Sequence, residues 1–217
     1  AWMLVTNVMA NLVLPQVLYV PWNLASAVLV VAIAHRADFC TFEQLGLSRQ
    51  HLASGLRWGG AVSAVLALGI VLAAVLPVSA DAFEDDRGDV NQWFALYRVF
   101  LAIPFGTVLF EEVAFRGVLP AMIDRRRSHV VAVVVSAALF GLWHILPGLA
   151  FGESNDAVAE QVPSTFAVMA GVAVGVAFTA LAGITLMWLR DKSGSVLAPA
   201  LVHAAVNCVA FAAAWLS

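Results

Sequence analysis

The chain has 217 residues, 62% of them hydrophobic and only 12% charged, with a formal net charge of −3. A soluble domain carries about a quarter charged residues, so this composition excludes a soluble globule and points to an integral membrane protein. No basic patch suggests a nucleic-acid partner, and Cys40 and Cys208 lack the spacing of a metal or redox pair.

A helix that crosses a bilayer needs about 20 apolar residues. Six runs meet that length, near residues 8–34, 58–78, 95–122, 130–148, 165–189 and 195–216. The expected fold class is therefore all-α, a polytopic membrane helix bundle with the lipid bilayer around it. The first run has no basic flank or small-residue cleavage site before it and reads as a membrane helix, not a signal peptide. Pro15 and Pro21 predict a kink within it. Residues 41–58, TFEQLGLSRQHLASGLRW, place polar and apolar side chains at helical spacing and predict an amphipathic segment on the membrane surface. In the fifth run, GVAVGVAFTALAG offers small residues for close helix packing. Residues 1–94 and 95–217 are read as an N-terminal helical part and a catalytic bundle within one structural unit.

Loop charges predict an orientation. Arg36, Arg49 and Arg57 fall by the first connection, Arg125, Arg126 and Arg127 in the third, and Arg190 and Lys192 in the fifth. The second connection, DAFEDDRGDVNQ, and the fourth, GESNDAVAEQ, are acidic. By the positive-inside rule the odd connections are cytoplasmic and both termini lie on the outer side. Alanine- and valine-rich sequence with few lysines suggests a bacterial plasma membrane.

Within the apolar runs stand Glu111, Glu112, Arg116, His144, His203 and Asn207. A charge in hydrocarbon is costly, so such residues face a protein interior or water and mark function. Glu111 lies about 20 Å along its helix from Arg98 and from Arg125, near the midplane, and His203 comes out at a similar depth. His144 falls somewhat nearer the outer face. One shared polar cavity explains all three positions. Neighbours on a helix point about 100° apart, so Glu111 and Glu112 have separate jobs. Glu112 and Arg116 form an i, i+4 pair in the favourable order, which leaves Glu111 as the base. Two chemistries fit. In one, Glu111 and His144 activate a water while His203 and Asn207 stabilise an oxyanion, with no cofactor required. In the other, Glu111, His144 and His203 bind zinc, although no H-E-x-x-H helix is present. A non-catalytic scaffold for a membrane protein partner and a proton-coupled transporter are the rival readings.

EEVAFR (Glu111 to Arg116), FGLWH (Phe140 to His144) and HAAVN (His203 to Asn207) together resemble the three ordered motifs of the CAAX protease and bacteriocin-processing (Abi) family, which includes the Ras-converting CAAX endopeptidase. The resemblance covers about residues 95–216. It implies an intramembrane endopeptidase acting on a membrane-associated peptide or protein. It also implies that Glu111 and His144 hold the water, that His203 and Asn207 form the oxyanion site, and that Arg116 supports the glutamates. Substrate entry through a lateral gap, or through a cytoplasmic funnel near Arg125–Arg127, is compatible with the pattern.

Overall fold

Pro15 ends the first apolar stretch rather than kinking it. In the computed structural model, which describes residues 2–79, 83, 89–154 and 165–217, helix α1 (Trp2–Val13) is too short to cross a bilayer. The backbone turns extended at Leu14 and Pro15 caps α2 (Gln16–Arg36), which carries Pro21 inside it. A 3₁₀ turn, Arg49–His51, opens α3 (Leu52–Val75). Then come α4 (Gln92–Asp124), α5 (His129–Trp143), α6 (Ile145–Ser154), α7 (Thr165–Ser193) and α8 (Leu197–Leu216). All regular structure among the described residues is helical, and six helical spans are long and apolar enough to cross a membrane. The termini's sides of the membrane are not fixed by the fold itself.

The centre of the bundle is α4. Every residue from Phe110 to Val118 is buried, which is the signature of a helix wrapped on all sides by others. Its neighbours are α2, α5 and α8, while α3 packs on α8 and α7 packs on α5. The helix is not a uniform α-helix. Its stretches Arg98–Val108 and Val113–Val118 are wound as π-helix. Pro104 lies inside the first and lacks the N–H that an α-helical ladder would use. Wide turns of this kind recur at functional sites.

Small residues set the closest approaches. A Cβ on Gly141 of α5 would lie 2.5 Å from the Val176 carbonyl oxygen of α7, and one on Gly59 of α3 would lie 2.9 Å from Ala198 of α8. In the glycine-rich run, Gly183 packs against Ala137 and Phe140, but Gly171 and Gly175 have nothing within 4 Å of a Cβ. The expected packing role thus belongs to one end of that run. Gly141→Ala is expected to cost about 1–3 kcal/mol, because the obstacle is backbone that cannot rotate away. Gly175→Ala, on the same pair of helices, is expected to be neutral or slightly stabilising. Thermal midpoints in detergent compare the two.

Residues 41–48, expected as part of a surface helix, form turns whose Leu45 and Gly46 pack into the bundle while Thr41–Gln44 stay exposed. Cys40 and Leu45 are fully buried, the Val196 N–H donates to the Gly46 carbonyl at 2.9 Å, and Arg190 donates to the Gln44 carbonyl. Only the last part is helical, from the 3₁₀ turn at Arg49 into α3. Apolar residues such as Leu45 stabilise more by joining the core than by lying on a membrane surface. Arg126 donates to both oxygens of Asp38, and His129 bridges Asp124 at 3.0 Å and Asp191 at 2.9 Å. The first, third and fifth connections are therefore knitted together at one end. The hydrogen-bonding Arg126 guanidinium holds the Asp38 carboxyl below the usual carboxylate range, against the opposing effect of its burial. The sign follows directly: this link is present at neutral pH and is lost as acid takes Asp38 through its lowered pKa. The acidic second and fourth connections lie largely outside the described residues.

Candidate active site

The short α-helical turn Leu109–Glu112, set between the two wide stretches of α4, aims its adjacent glutamates apart. Glu112 is fully buried, and its Oε1 accepts from Arg116 Nη1 at 3.0 Å and pairs with His203 Nδ1 at 2.7 Å. Arg116 is 1% exposed, and its guanidinium carbon lies 3.8 Å from the centroid of the Phe140 ring. A buried guanidinium is tolerable only with such company, an anion on one edge and an aromatic face beside it.

Glu111 points the other way. Its Oε1 accepts from the indole N–H of Trp143 at 2.8 Å, while its Oε2 has no hydrogen-bond partner in the protein. That free oxygen faces His144 Nε2 at 3.9 Å and His203 Nε2 at 3.8 Å. His144 sits where α5 ends and caps it. The tightened turn there brings its ring to the depth of Glu111, which absorbs the offset expected from the sequence. A carbonyl oxygen can only accept, so the 2.8 Å contact with the Phe140 carbonyl identifies Nδ1 of His144 as the protonated nitrogen. Neutral His144 then offers a lone pair at Nε2. Phe140 lies edge-on to both histidines, with ring centroids 4.5 Å and 5.9 Å away, and spaces them.

Glu111, His144 and Asn207 share the wall of a cavity of about 460 Å³. Asn207 stands one turn beyond His203 on α8. Glu111, His144 and Asn207 thus line one space, while His203 does not line it and meets the site through Glu111 and Glu112, with Arg116 behind them. Cys208 lies outside this group and donates its thiol to the Val99 carbonyl at 3.2 Å.

Several residues that border this space carry no role legible in the sequence. Trp143 anchors Glu111, and the Asn7 side chain on α1 donates to the Trp143 carbonyl at 3.0 Å. Tyr19 and Asn23 on α2 line the cavity, and the Tyr19 hydroxyl pairs with Thr107 at 2.9 Å. A usable trace was present, since Thr6, Asn7, Asn23 and Ser26 are hydrogen-bonding residues within apolar helices, and all four are buried.

A tetrahedral zinc with bonds of roughly 2.1 Å sets its donor atoms about 3.4 Å apart. The measured separations of 3.8 Å and 3.9 Å are wider. Among the described residues, no cluster of His, Cys, Asp or Glu is gathered closely enough to hold a metal ion as it stands.

A family model described as type II CAAX prenyl endopeptidase, Rce1-like, matches residues 91–209, more than half of the chain. The chain belongs to this family. No curated protein matches it, and no solved structure does. Membership in the Rce1-like family implies a protease of membrane-associated peptide substrates, and the six apolar spans make the protein an integral membrane one. The family match takes in all three motifs and begins at the N-cap of α4. It leaves out α1, α2 and α3, two of which nevertheless supply cavity wall.

Proposed function

We propose that the protein is an intramembrane endopeptidase that cleaves peptide bonds with a glutamate-activated water. One observation carries this reading. Glu111 Oε2 is buried without a protein partner on the wall of a cavity, opposite two imidazole nitrogens at 3.8 Å and 3.9 Å. A water about 2.8 Å from both Glu111 Oε2 and His144 Nε2 fits that gap and satisfies two acceptors with its two hydrogens. Its remaining lone pair then serves as the nucleophile.

The oxygen of this water attacks the scissile carbonyl carbon, and its proton passes to Glu111. The carbonyl oxygen becomes an oxyanion, which Asn207 Nδ2–H and protonated His203 Nε2–H stabilise. Glu112, hydrogen-bonded at His203 Nδ1, supports that imidazolium. With Arg116 the four charges of Glu111, Glu112, Arg116 and His203 sum to zero, as a dry site requires. Glu111 then returns its proton to the leaving amine nitrogen as the carbon–nitrogen bond breaks.

Purified protein incubated with candidate membrane peptides tests this. Asn207→Ala is expected to lower kcat about 10²–10³-fold with little change in KM, since the oxyanion exists only after attack. Activity that a chelator abolishes and zinc restores would overturn the metal-free mechanism. A membrane protein that co-purifies stably, with no cleavage of any peptide, would support the scaffold reading instead.

A further inference from the structure

The cavity runs in one direction only from the glutamate. On α4 its lining spans Arg98 to Glu111 and includes nothing beyond, and on α8 it spans Asn207 to Ala214 and includes nothing before. On α2 it takes Tyr19 and Asn23, near that helix's start. Since α2 and α4 begin where α8 finishes, all these residues lie between the site and the same end of the bundle. Its walls carry hydrogen-bonding groups from Asn11, Tyr19, Asn23 and Thr107, as the path of an extended peptide backbone through a membrane protein requires.

At the opposite end the first connection packs on α4, with Asp38, Cys40 and Leu45 buried and the Leu45 carbonyl oxygen 2.9 Å from where a Cβ on Gly117 would stand. A separate groove there, between α2 and α4 beside Phe42, shares no lining residue with the cavity that holds Glu111. This end is also the basic one. It holds Arg36, Arg49, Arg57, Arg125, Arg126, Arg127, Arg190 and Lys192, eight of the chain's eleven basic residues. Lys and Arg in short connections stay on the cytoplasmic side.

From these two facts we infer that the active site is loaded from the non-cytoplasmic face. Its substrate is then a membrane-anchored polypeptide whose scissile bond is presented from that face. This deepens the protease reading and rests on it. It also argues against the cytoplasmic funnel near Arg125–Arg127 as the route, because the cavity leads from Glu111 toward the other end and none of those three arginines lines it.

Side-specific labelling tests the route without needing turnover. In a chain with Cys40→Ala and Cys208→Ala, single cysteines are placed by Asn11→Cys, Ala210→Cys and Arg127→Cys. Intact cells or spheroplasts are exposed to a membrane-impermeant maleimide. Labelling of the first two is expected before permeabilisation, and of the third only after it. The reverse pattern would overturn the inference. An alkaline phosphatase fusion after Ser217 in the otherwise native chain repeats the topological reading should a cysteine variant fold poorly, and its activity is expected. An inactive but stable fusion would count against the inference. In proteoliposomes, maleimide on Ala210→Cys is expected to lower peptide cleavage at least tenfold, and the same label on Arg127→Cys to leave it unchanged. Undiminished cleavage with Ala210→Cys fully labelled would overturn the loading route. A wild type that cleaves nothing while the labelling pattern holds would instead overturn the protease reading alone.

Discussion

Glu111→Gln is expected to abolish peptide cleavage while leaving the fold intact. Glutamine has nearly the same shape, and its amide oxygen can still accept the Trp143 indole N–H that Glu111 Oε1 accepts at 2.8 Å. The change falls on Oε2, the atom with no protein partner. An amide nitrogen there can only donate and cannot take a proton from water. A positioned general base contributes about 10²–10⁴-fold, and losing the proton return to the amine adds to that loss. Single-turnover cleavage of a membrane peptide measures the drop, with a thermal midpoint in detergent close to wild type. Activity retained within a few-fold would remove Glu111 from the mechanism. A useful comparison is Trp143→Phe, which keeps an aromatic ring beside Phe110 and Phe115 but loses the N–H together with part of the indole's volume. It is expected to lower kcat more modestly, because Glu111 keeps its chemistry but loses its orientation, and to shift the pH profile, which a purely packing role would not do.

Arg116→Ala is expected to be the most damaging single change to stability. Arg116 is almost fully buried, and Glu112 beside it is completely so. Removing the cation leaves one buried carboxylate with only His203 to offset it. Breaking such a pair from one side costs about 3–5 kcal/mol, a large part of what holds a domain of this size together. The guanidinium's stacking on Phe140 is lost as well. Folding yield and thermal midpoint in detergent report the effect. Glu112→Gln made on top of Arg116→Gln is expected to recover part of the loss, since two neutral amides can hydrogen-bond where a lone anion cannot. Activity is not expected to return with stability, because His203 would then lack the anion at Nδ1. That separation distinguishes a residue that positions the site from one that only holds helices together.

The parts of the fold legible in sequence were those governed by bulk hydrophobicity. Six spans and an all-helical class follow from apolar length, and the three motifs place the family. Angular reasoning also separated Glu111 from Glu112, because 100° per residue survives modest changes in winding. What could not be read were the places where tertiary packing chooses among local options. Pro15 breaks a helix that hydropathy reads as continuous, and Leu45 and Gly46 pack inward although the spacing of residues 41–48 suits a surface helix. No pattern in the sequence marks a role for Trp143, because an indole N–H finds its carboxylate only across α4 and α5. His203 reaches both glutamates, a bridge that no spacing along one helix can foretell.

The all-round burial of Phe110–Val118 has a consequence for how the protein is made. A helix that carries two carboxylates and a guanidinium near its middle enters lipid poorly by itself, at about 2.5–3.5 kcal/mol for each charge. Glu112 and Arg116 pair within α4 itself, but a second cation for the two carboxylates comes only with His203 on α8, which follows α4 by four helices in chain order. Between those two events α4 must shelter against α2 or wait at the insertion machinery. Biogenesis, rather than the finished bundle, is therefore where this chain is most exposed to failure. Truncation before α8 should leave α4 loosely inserted and prone to degradation, even though every residue that precedes the cut is unchanged.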